Sequence, residues 1–285
     1  MFDLSIVKIQ GGLGNQMFQY AFMRALSLKY NFKAMLDISY FYIDKFSNPA
    51  VAVRKFLLNN YNIQLGIADI NIIRQYGFHI PILNRVFETP NCAGKYLEFL
   101  QKERNGNKYF IGYFQTEKYF KEYRSEILKD FELKTPLDTK NSEILSQIKD
   151  TNSVSIHIRR GDYLKLQHIY HICSLEYYDE AINFISQTIE NPHFYIFSDD
   201  IDWAKNNLKI TYPHTFVDIN SESNCCFDLE LMKNCKHNII ANSTFSWWGA
   251  WLNENTDKIV ISPKQWCCTE EIHMDDIICE DWIKI

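Results

Sequence analysis

The second half of the chain alternates short apolar segments with longer segments of helical periodicity. Residues 154–158 form an apolar run, and residues 175–189 carry apolar side chains at the i, i+3, i+4 and i+7 spacing of one helix face. Further strands are predicted at 194–197, 215–217, 238–241 and 258–261, and further helices at 201–208, 227–234 and 246–252. This alternation predicts an α/β fold, with a parallel sheet covered by helices on both faces. Ligands of such sheets bind beyond the carboxyl ends of the strands.

A similar order opens the chain, where residues 4–10 are predicted to form a buried strand. A glycine-rich loop follows at 11–16, then a helix whose apolar periodicity starts at Phe18, and a second strand at 32–36. Residues 37–132 hold clusters of Tyr and Phe, and their pattern assigns no topology.

The polar segment 134–142, which contains Pro136, is predicted to be a linker. It divides the chain into two predicted domains, residues 1–140 and residues 141–285. The chain has 285 residues, of which 46% are hydrophobic, so it can bury one large core or two modest ones.

Composition argues against several classes of protein. The formal net charge of −5 does not favour bulk attraction to nucleic acid or to an anionic membrane. The first residues lack the pattern of a signal peptide, and no apolar stretch approaches the ~20 residues of a membrane helix, so we expect a cytoplasmic protein. A weak peripheral membrane contact through residues 282–285 is left open. Eight cysteines without a C-x-x-C pair indicate reduced thiols rather than a zinc site.

Basic residues stand at the end of the predicted strand 154–158. His157 and Arg159 project to the side opposite the neighbouring isoleucines, because side chains alternate along a strand. The planar fork of an arginine suits a diphosphate, and Gly161 allows a sharp turn after it. The alternative is a surface strand end with an Arg–Asp ion pair, and the residues alone support both interpretations equally.

A hydroxyl-rich loop lies between the predicted strand 238–241 and the next helix. Ser243, Thr244 and Ser246, together with the N–H groups of a helix start, could bind an anion. A simple helix cap is the alternative, and it explains one hydroxyl but not three. The tryptophans that follow are expected to be core residues in at least two cases: Trp247, Trp248 and Trp251.

Three further features each have two interpretations. The loop 11–16 lets a ligand approach the backbone, or is a tight turn without a ligand; it is not the G-x-G-x-x-G fingerprint. The segment 198–200 could hold a metal bound to a diphosphate, but a helix cap is favoured. Asp228 lies near a predicted helix start, where the dipole favours a carboxylate, or it accepts from the N1–H and 2-amino groups of guanine.

Taken together, these segments resemble the bacterial α-1,2-fucosyltransferases. The resemblance covers GGLGNQMFQYA at 11–21, HIRRGDY at 157–163 and HNIIANSTFSWW at 237–248, in the same order and at similar distances. The segment 228–237 is also similar to that family, whereas residues 37–150 resemble it only loosely.

The resemblance implies a GT-B-type architecture of two Rossmann-like domains with an inter-domain cleft. Residues 1–140 would be the acceptor side, and residues 141–285 would bind the GDP-sugar. The implied activity is transfer of L-fucose from GDP-β-L-fucose to the 2-hydroxyl of a galactose-containing oligosaccharide or glycolipid, with inversion and with neither a metal nor another cofactor. A transferase with another GDP-sugar donor and a non-catalytic carbohydrate-binding protein are the alternatives.

The resemblance also implies roles for single residues. Arg159 would hold the β-phosphate with Arg160 beside it, His157 would lie near the nucleotide, Asp228 would bind guanine, and Asn15 would face the reacting centre. The loop residues that would line the diphosphate are Asn242, Ser243, Thr244 and Ser246.

The implied reaction places negative charge on the departing GDP. Arg159 and the loop N–H groups would stabilise that charge, so a metal would not be required. Asp162 is a candidate for the base that activates the acceptor hydroxyl, but orientation of an arginine is the favoured role for its carboxylate. Catalysis without a strong protein base is also open.

Overall fold

The computed structural model describes residues 4–43, 54–76, 85–102, 107–165, 167, 169–269 and 271–285. The chain divides into two compact units: Met1–Lys134 with Glu271–Cys279, and Thr135–Glu270 with Glu280–Ile285. The division at 140/141 and the roles assigned to its halves stay predictions. In the structure, residues 271–279 group with the first unit.

The first unit contains a parallel sheet. Its strands are β1 (Leu4–Lys8), β2 (Lys33–Asp37), β3 (Gly66–Ile67), β4 (Arg85–Phe87) and β5 (Tyr109–Ile111), in the order β3-β2-β1-β5-β4. Its α-helices are α1 (Leu13–Tyr30), α2 (Tyr40–Ile43), α3 (Ile70–Arg74), α4 (Glu98–Gln101) and α5 (Arg124–Asp130). The predicted β–loop–α–β start is confirmed.

Helix α1 is the main packing element of this unit. It has 18 residues and begins five residues before Phe18, directly after Gly12. Phe18 and Phe22 are fully buried, and Phe22 stacks on Phe114 with ring centroids 4.0 Å apart. Burying a side chain of this size stabilises the fold by ~1.5–3 kcal/mol. The helix ends at Asn31, which takes the left-handed conformation with φ 54°.

The second unit contains a six-stranded parallel sheet. Its elements are α6 (Thr139–Asp150), β6 (Asn152–Ile158), α7 (Leu175–Thr188), β7 (Pro192–Ser198), α8 (Ile201–Asn207), β8 (His214–Phe216), α9 (Cys225–Asn234), β9 (His237–Ile239), α10 (Thr244–Trp251), β10 (Val260–Ser262) and β11 (Ile283–Lys284). The strand order is β11-β10-β9-β6-β7-β8. Every strand and helix predicted in this half is present, with bounds shifted by at most two residues.

The predicted linker is shorter than expected. Helix α6 begins inside it, because the Asp138 carboxylate accepts from the Asn141 N–H at 2.9 Å and caps the helix. Two short 3₁₀ turns, Glu117–Tyr119 and Lys121–Tyr123, precede α5, which begins at Arg124.

The tryptophans are core residues, as predicted. Trp247 and Trp248 are fully buried, and Trp251 is 3% exposed. The end of the chain joins the same core: Trp282 is buried and its ring centroid lies 5.5 Å from that of Trp247. The following residues pair with β10, so the apolar side chain of Trp282 is used inside the protein. Within the described ranges, no helix has the length and apolar character needed to cross a bilayer.

Candidate active site

Four neighbouring strands of the second unit end at one edge of the sheet. The order β9-β6-β7-β8 brings together the loops that follow these strands, because all four run parallel. These loops carry Ser243 after β9, Arg159 after β6, Asp199 after β7 and Asn220 after β8. Most of the predicted site residues therefore lie at this edge, which is called the carboxyl edge below.

Arg159 is held by two carboxylates. Its Nη2 lies 2.5 Å from Asp162 Oδ1, and its Nη1 lies 3.0 Å from Asp199 Oδ2. The guanidinium carbon is 5.3 Å from the centre of the Tyr163 ring. Burial opposes the charge, but Asp199 and Asp162 raise the pKa of Arg159 above its ordinary value, so the side chain stays cationic. It remains 22% exposed, so a ligand can reach it.

The Arg159–Asp162 contact is compatible with both interpretations of this segment, a diphosphate site and a surface strand end with an ion pair. A guanidinium has five N–H donors, and the two carboxylates do not use all of them. The ion pair expected of a surface strand end is present, and it also fixes the direction of the guanidinium. For Asp162, the sequence favours orientation of an arginine over a role as base, and its carboxylate is in contact with Arg159.

Arg160 packs against the start of α8. Its backbone N–H donates to Asp199 Oδ1 at 2.9 Å, its Nε is 3.4 Å from Asp200 Oδ2, and its guanidinium carbon is 3.7 Å from the centre of the Trp203 ring. Asp200 caps α8 by accepting from the Trp203 N–H at 3.4 Å, which confirms the predicted cap. A Cβ on Gly161 would collide with the Asp199 carboxylate, so the close approach of these loops requires glycine there.

His157 is a buried, neutral histidine. It is 4% exposed, and its ring centroid lies 5.6 Å from that of Phe245. Burial and the nearby charge of Arg159 lower its pKa to about 3, so the ring is uncharged at neutral pH. Its Nδ1 has no hydrogen-bond partner among the residues that the structure describes. An unpaired buried polar atom of this kind costs ~1–3 kcal/mol.

The Asn242 side chain ties loops together. Its Nδ2 donates to the His171 carbonyl at 2.6 Å and to the Trp266 carbonyl at 2.8 Å, and Cys173 Sγ donates to its Oδ1 at 3.6 Å. The residue is fully buried. Through these contacts, the Asn242 side chain supports the hydroxyl-rich loop from inside the protein.

The start of α10 is formed by the hydroxyl-rich loop. Ser243 occupies the cap position of this fully described helix, but its side chain makes no capping hydrogen bond. Ser246 donates weakly to the carbonyls of Ala241 and Ser243, at 3.4 and 3.3 Å, and Thr244 is half-buried. A single cap by the Ser243 hydroxyl therefore does not explain the loop. Its helix start, placed at the carboxyl edge, favours an anion.

Asp228 lies in the first turn of α9 within a cluster of asparagines. Its Oδ1 accepts from Asn220 Nδ2 at 2.7 Å, and Asn220 exchanges hydrogen bonds with Asn141 at 2.8 and 3.0 Å. Burial raises the pKa of Asp228 to about 6, against the lowering effect of the Asn220 bond. Sequence reasoning missed Asn220 and Asn141. The only signal for Asn220 is its place after a predicted strand, and Asn141 is brought to it by tertiary contact.

Asn15 belongs to the first unit, whereas the other predicted site residues belong to the second. Asn15 Oδ1 accepts from Gln115 Nε2 at 2.9 Å. Gly11 has φ +81°, and a Cβ there would lie 2.8 Å from Asn15 Nδ2. The backbone of the glycine loop thus makes room for the Asn15 amide.

Two glutamines of α1 hold the same loop. Gln16 Nε2 donates to the Gly11 carbonyl at 2.9 Å, and Gln19 Oε1 accepts from the Gln10 N–H at 2.9 Å. Both glutamines are fully buried. Sequence reasoning noted them as part of a motif without assigning this structural role.

The acidic residues that follow β7 lie beside the two arginines of the site. Across the described ranges, no group of three or more His, Cys, Asp or Glu side chains is arranged to hold an ion. Asp199 and Asp200 instead contact Arg159 and Arg160. Whether the reaction needs a metal stays a prediction, which the assay described below tests.

Comparisons with known proteins cover the whole chain. The family model described as Glycosyl transferase family 11 matches residues 2–285. An α-1,2-colitosyltransferase of Escherichia coli is 33% identical over 99% of this chain and 99% of its own length. The O-antigen biosynthesis glycosyltransferase WbnK of Escherichia coli is 34% identical over 97% of this chain and 99% of its own length.

A solved structure shows the same fold. The α-1,6-fucosyltransferase NodZ, soaked with GDP-fucose, superposes with a TM-score of 0.51 and 13% identity over 88% of this chain and 93% of its own. Two Rossmann-like units, each with a parallel sheet, are the components of the GT-B-type architecture that the motifs implied. The family resemblance and the α/β fold class are both confirmed. The whole-chain family match and the two relatives above 30% identity show that this chain belongs to glycosyl transferase family 11 and is an enzyme that transfers a sugar.

Proposed function

We propose that this enzyme transfers L-fucose from GDP-β-L-fucose to the 2-hydroxyl of a galactose-type acceptor in a glycan, with inversion at the anomeric carbon. The observation that carries the proposal is Arg159, which stays cationic, is oriented by two carboxylates and is exposed at the carboxyl edge. It belongs to a motif that resembles the α-1,2-fucosyltransferases. The colitosyltransferase relative, which is named for an α-1,2 linkage, adds support.

The departing nucleotide is the centre of the proposed mechanism. As the fucosyl–phosphate bond breaks, negative charge grows on the β-phosphate of GDP. Arg159 donates to that phosphate, and the start of α10 with Ser243 and Thr244 supplies further N–H and hydroxyl groups. Because these donors are held in place before the reaction, they stabilise the charge without reorganising. Removal of one preorganised donor of this kind typically costs ~10²–10³ in rate.

Asp228 is proposed to bind guanine. Its carboxylate can accept from the N1–H and the 2-amino group together, and such charge-assisted bonds are stronger than neutral ones. With a pKa of about 6, the group is ionised at pH 7.5 and can accept both bonds. Asn220 holds one carboxylate oxygen and so orients the group toward the base.

The buried residues of the site act by position. Asn242 shapes the loop before α10, and Arg160 fixes the start of α8 beside Arg159. His157 lies near the nucleotide by resemblance to the family. Asn15 faces the reacting centre by resemblance to the family, and Asp162 orients Arg159 rather than taking the acceptor proton.

A second GDP-sugar is supported by one specific observation. The 33% identical relative is named for colitose, which is L-fucose without its 3-hydroxyl. GDP-colitose is therefore the second candidate donor, within the broader alternative of another GDP-sugar. The non-catalytic alternative is wrong, because the chain belongs to a family of sugar-transferring enzymes.

The test compares donors in one assay. The protein is incubated with GDP-fucose, GDP-colitose or GDP-mannose and with lactose, in the presence of EDTA, and the linkage of each product is determined. We expect an α-1,2-linked product with GDP-fucose, formed at the same rate with and without EDTA. If a product forms only with GDP-colitose, the donor is GDP-colitose and not GDP-fucose. Loss of activity in EDTA would contradict metal independence.

The setting of the reaction is part of the proposal. The acceptor is a galactose-containing oligosaccharide or glycolipid, and a cytoplasmic location stays a prediction from the sequence. Replacing lactose with a lipid-linked galactoside in the same assay tests whether membrane presentation of the acceptor raises the rate.

A further inference from the structure

A buried carboxyl group lies at the end of β4 in the first unit. Glu88 is 5% exposed, and its carboxylate accepts two consecutive backbone N–H groups. The Tyr113 N–H donates to Oε2 at 2.6 Å, and the Phe114 N–H donates to Oε1 and Oε2 at 3.0 and 3.1 Å. The turn after β5 is therefore wrapped around this side chain.

The turn adopts a conformation that its sequence does not favour. Phe114 has φ +53°, in the left-handed region that a large side chain rarely occupies. A Cβ on Gly112 would lie 2.8 Å from Glu88 Oε2, so the turn also requires glycine beside the carboxylate. Strained backbone persists only where neighbouring contacts determine it, and Glu88 supplies those contacts.

The turn is joined to α1 at two further points. The Phe114 ring stacks on Phe22, and Gln19 Nε2 donates to the Gly112 carbonyl at 3.0 Å. The next residue, Gln115, donates from its backbone N–H to the Ala93 carbonyl at 2.7 Å. These contacts fix where the Gln115 side chain starts.

The Gln115 side chain connects the turn to Asn15. The Gln115 side chain is largely buried, and its Nε2 donates to Asn15 Oδ1 at 2.9 Å. That bond holds the Oδ1 end of the Asn15 amide, whose Nδ2 end lies next to Gly11. A continuous set of contacts thus runs from Glu88 through the turn 112–115 to Asn15.

We propose that Glu88 is a positioning residue for the transfer reaction, because it holds the turn 112–115 so that Gln115 orients the Asn15 amide. The proposal rests on the proposed function, which gives Asn15 its place at the reacting centre. Burial raises the pKa of Glu88 to about 8, against the lowering effect of the two N–H bonds.

The test is a double-mutant cycle on kcat. Rates are measured at pH 9, above the Glu88 pKa of about 8, where Glu88→Gln preserves the shape of the ionised carboxylate but replaces one acceptor oxygen with an NH₂ group that faces a backbone N–H. We expect kcat to fall by about 10-fold or more, since small misplacement of a reacting group is expensive, with the KM for the GDP-sugar unchanged within about twofold. Glu98→Gln, on the exposed face of α4 in the same unit, is the matched control and should leave both constants unchanged.

The decisive comparison is made in an Asn15→Ala background. If Glu88 acts through Asn15, Glu88→Gln should change kcat there by no more than about twofold, because the group it positions is gone. An equal loss in both backgrounds would overturn the proposal, as would an unchanged kcat in the single variant. An Asn15→Ala protein with normal kcat would overturn it as well.

A second variant covers the case in which Glu88→Gln does not fold. Gln115→Leu removes the donor to Asn15 and leaves the Glu88 contacts in place. Its effect on kcat is likewise compared in the unmodified and Asn15→Ala backgrounds, and an equal loss in both would overturn the proposal. The failure of the proposed function is separate: it would appear as absence of fucose transfer by the unmodified enzyme. If that enzyme uses another GDP-sugar, the cycle is run with that donor.

Discussion

The Arg159 guanidinium lies 2.5 Å from the Asp162 carboxylate, three residues later in the chain. The pair forms because the chain turns at Gly161 directly after β6, which brings the two side chains to the same point of the carboxyl edge. Asp199, from the end of the neighbouring strand β7, contacts the other side of the guanidinium at 3.0 Å. Two carboxylates on adjacent loops therefore set the direction of one partly exposed cation.

This arrangement predicts a modest effect for Asp162→Asn. Asparagine can still accept from Arg159, so the guanidinium keeps a partner and the variant should lose about 10-fold in kcat through looser positioning. Rates measured from pH 5 to 9 should keep the shape of the unmodified enzyme. A much larger loss, together with disappearance of the acidic limb of the profile, would instead identify Asp162 as the base.

The raised pKa of Asp228 predicts a pH dependence of donor binding. The carboxylate must be ionised to accept from guanine, and its pKa is about 6. Donor affinity should therefore fall as the pH drops from 7.5 through 6, and the fall should be absent in Asp228→Asn, which binds weakly at every pH. Calorimetric titration of GDP-fucose at several pH values measures this, because its diphosphate lacks the terminal phosphate that titrates near pH 6 in GDP. A constant GDP-fucose affinity across that range in the unmodified enzyme would contradict the assignment.

The same shift predicts that Asp228→Asn stabilises the protein without ligand. Burial favours the neutral carboxyl in the folded state, so the folded pKa of about 6 lies above the ordinary value of 3.8. The stabilisation of the fold by the neutral Asp228 carboxyl is complete below pH 3.8 and is lost as the pH rises through 6. At pH 7.5 the ionised group destabilises the fold, and its replacement should recover about 1–3 kcal/mol. Thermal unfolding at pH 7.5 and at pH 4 should show the gain only at the higher pH.

The two glycines before α1 predict unequal effects on stability. Gly11 has φ +81° and lies against the Asn15 amide, so Gly11→Ala should lower the free energy of unfolding by about 1 kcal/mol or more. Gly12, at the cap of α1, has φ −74°, and a Cβ there would meet no atom within 4 Å, so Gly12→Ala should cost less, through the preference of the cap position for glycine over alanine alone. Denaturant unfolding compares the two, and equal losses would contradict this account of the loop.

The second unit could be predicted from sequence because its strands are short apolar runs that alternate with helices of clear period. Helix α7 has fourteen residues with buried positions at helical spacing, whereas the last six of the seven residues of β6 are all buried, as in a central parallel strand. In the first unit, β3 has two residues and α4 has four, which is too short for either period to appear. The topology of residues 37–132 was for that reason not predictable.

In the candidate site, too, some residues could be predicted from sequence and others could not. Residues that stand in a motif, such as Arg159 and Ser243, could be found from their place after a strand. Residues that act through distant partners could not: Asn141 reaches Asn220 across 79 positions, and Gln115 reaches Asn15 across 100. Glu88 carries no local signal at all, since its function in the turn depends on backbone N–H groups of another strand end.

The most direct measurement is the rate of transfer by Arg159→Ala, at saturating GDP-fucose and with EDTA present. The matched control is Lys205→Ala, which removes an exposed ion pair with Asp218 in the same unit. The account predicts an α-1,2-fucosylated galactoside from the unmodified enzyme and from the control. It predicts at least a ~10²-fold lower rate from Arg159→Ala, whose thermal unfolding should remain cooperative. Normal turnover by Arg159→Ala would contradict the central claim that this guanidinium stabilises the departing GDP.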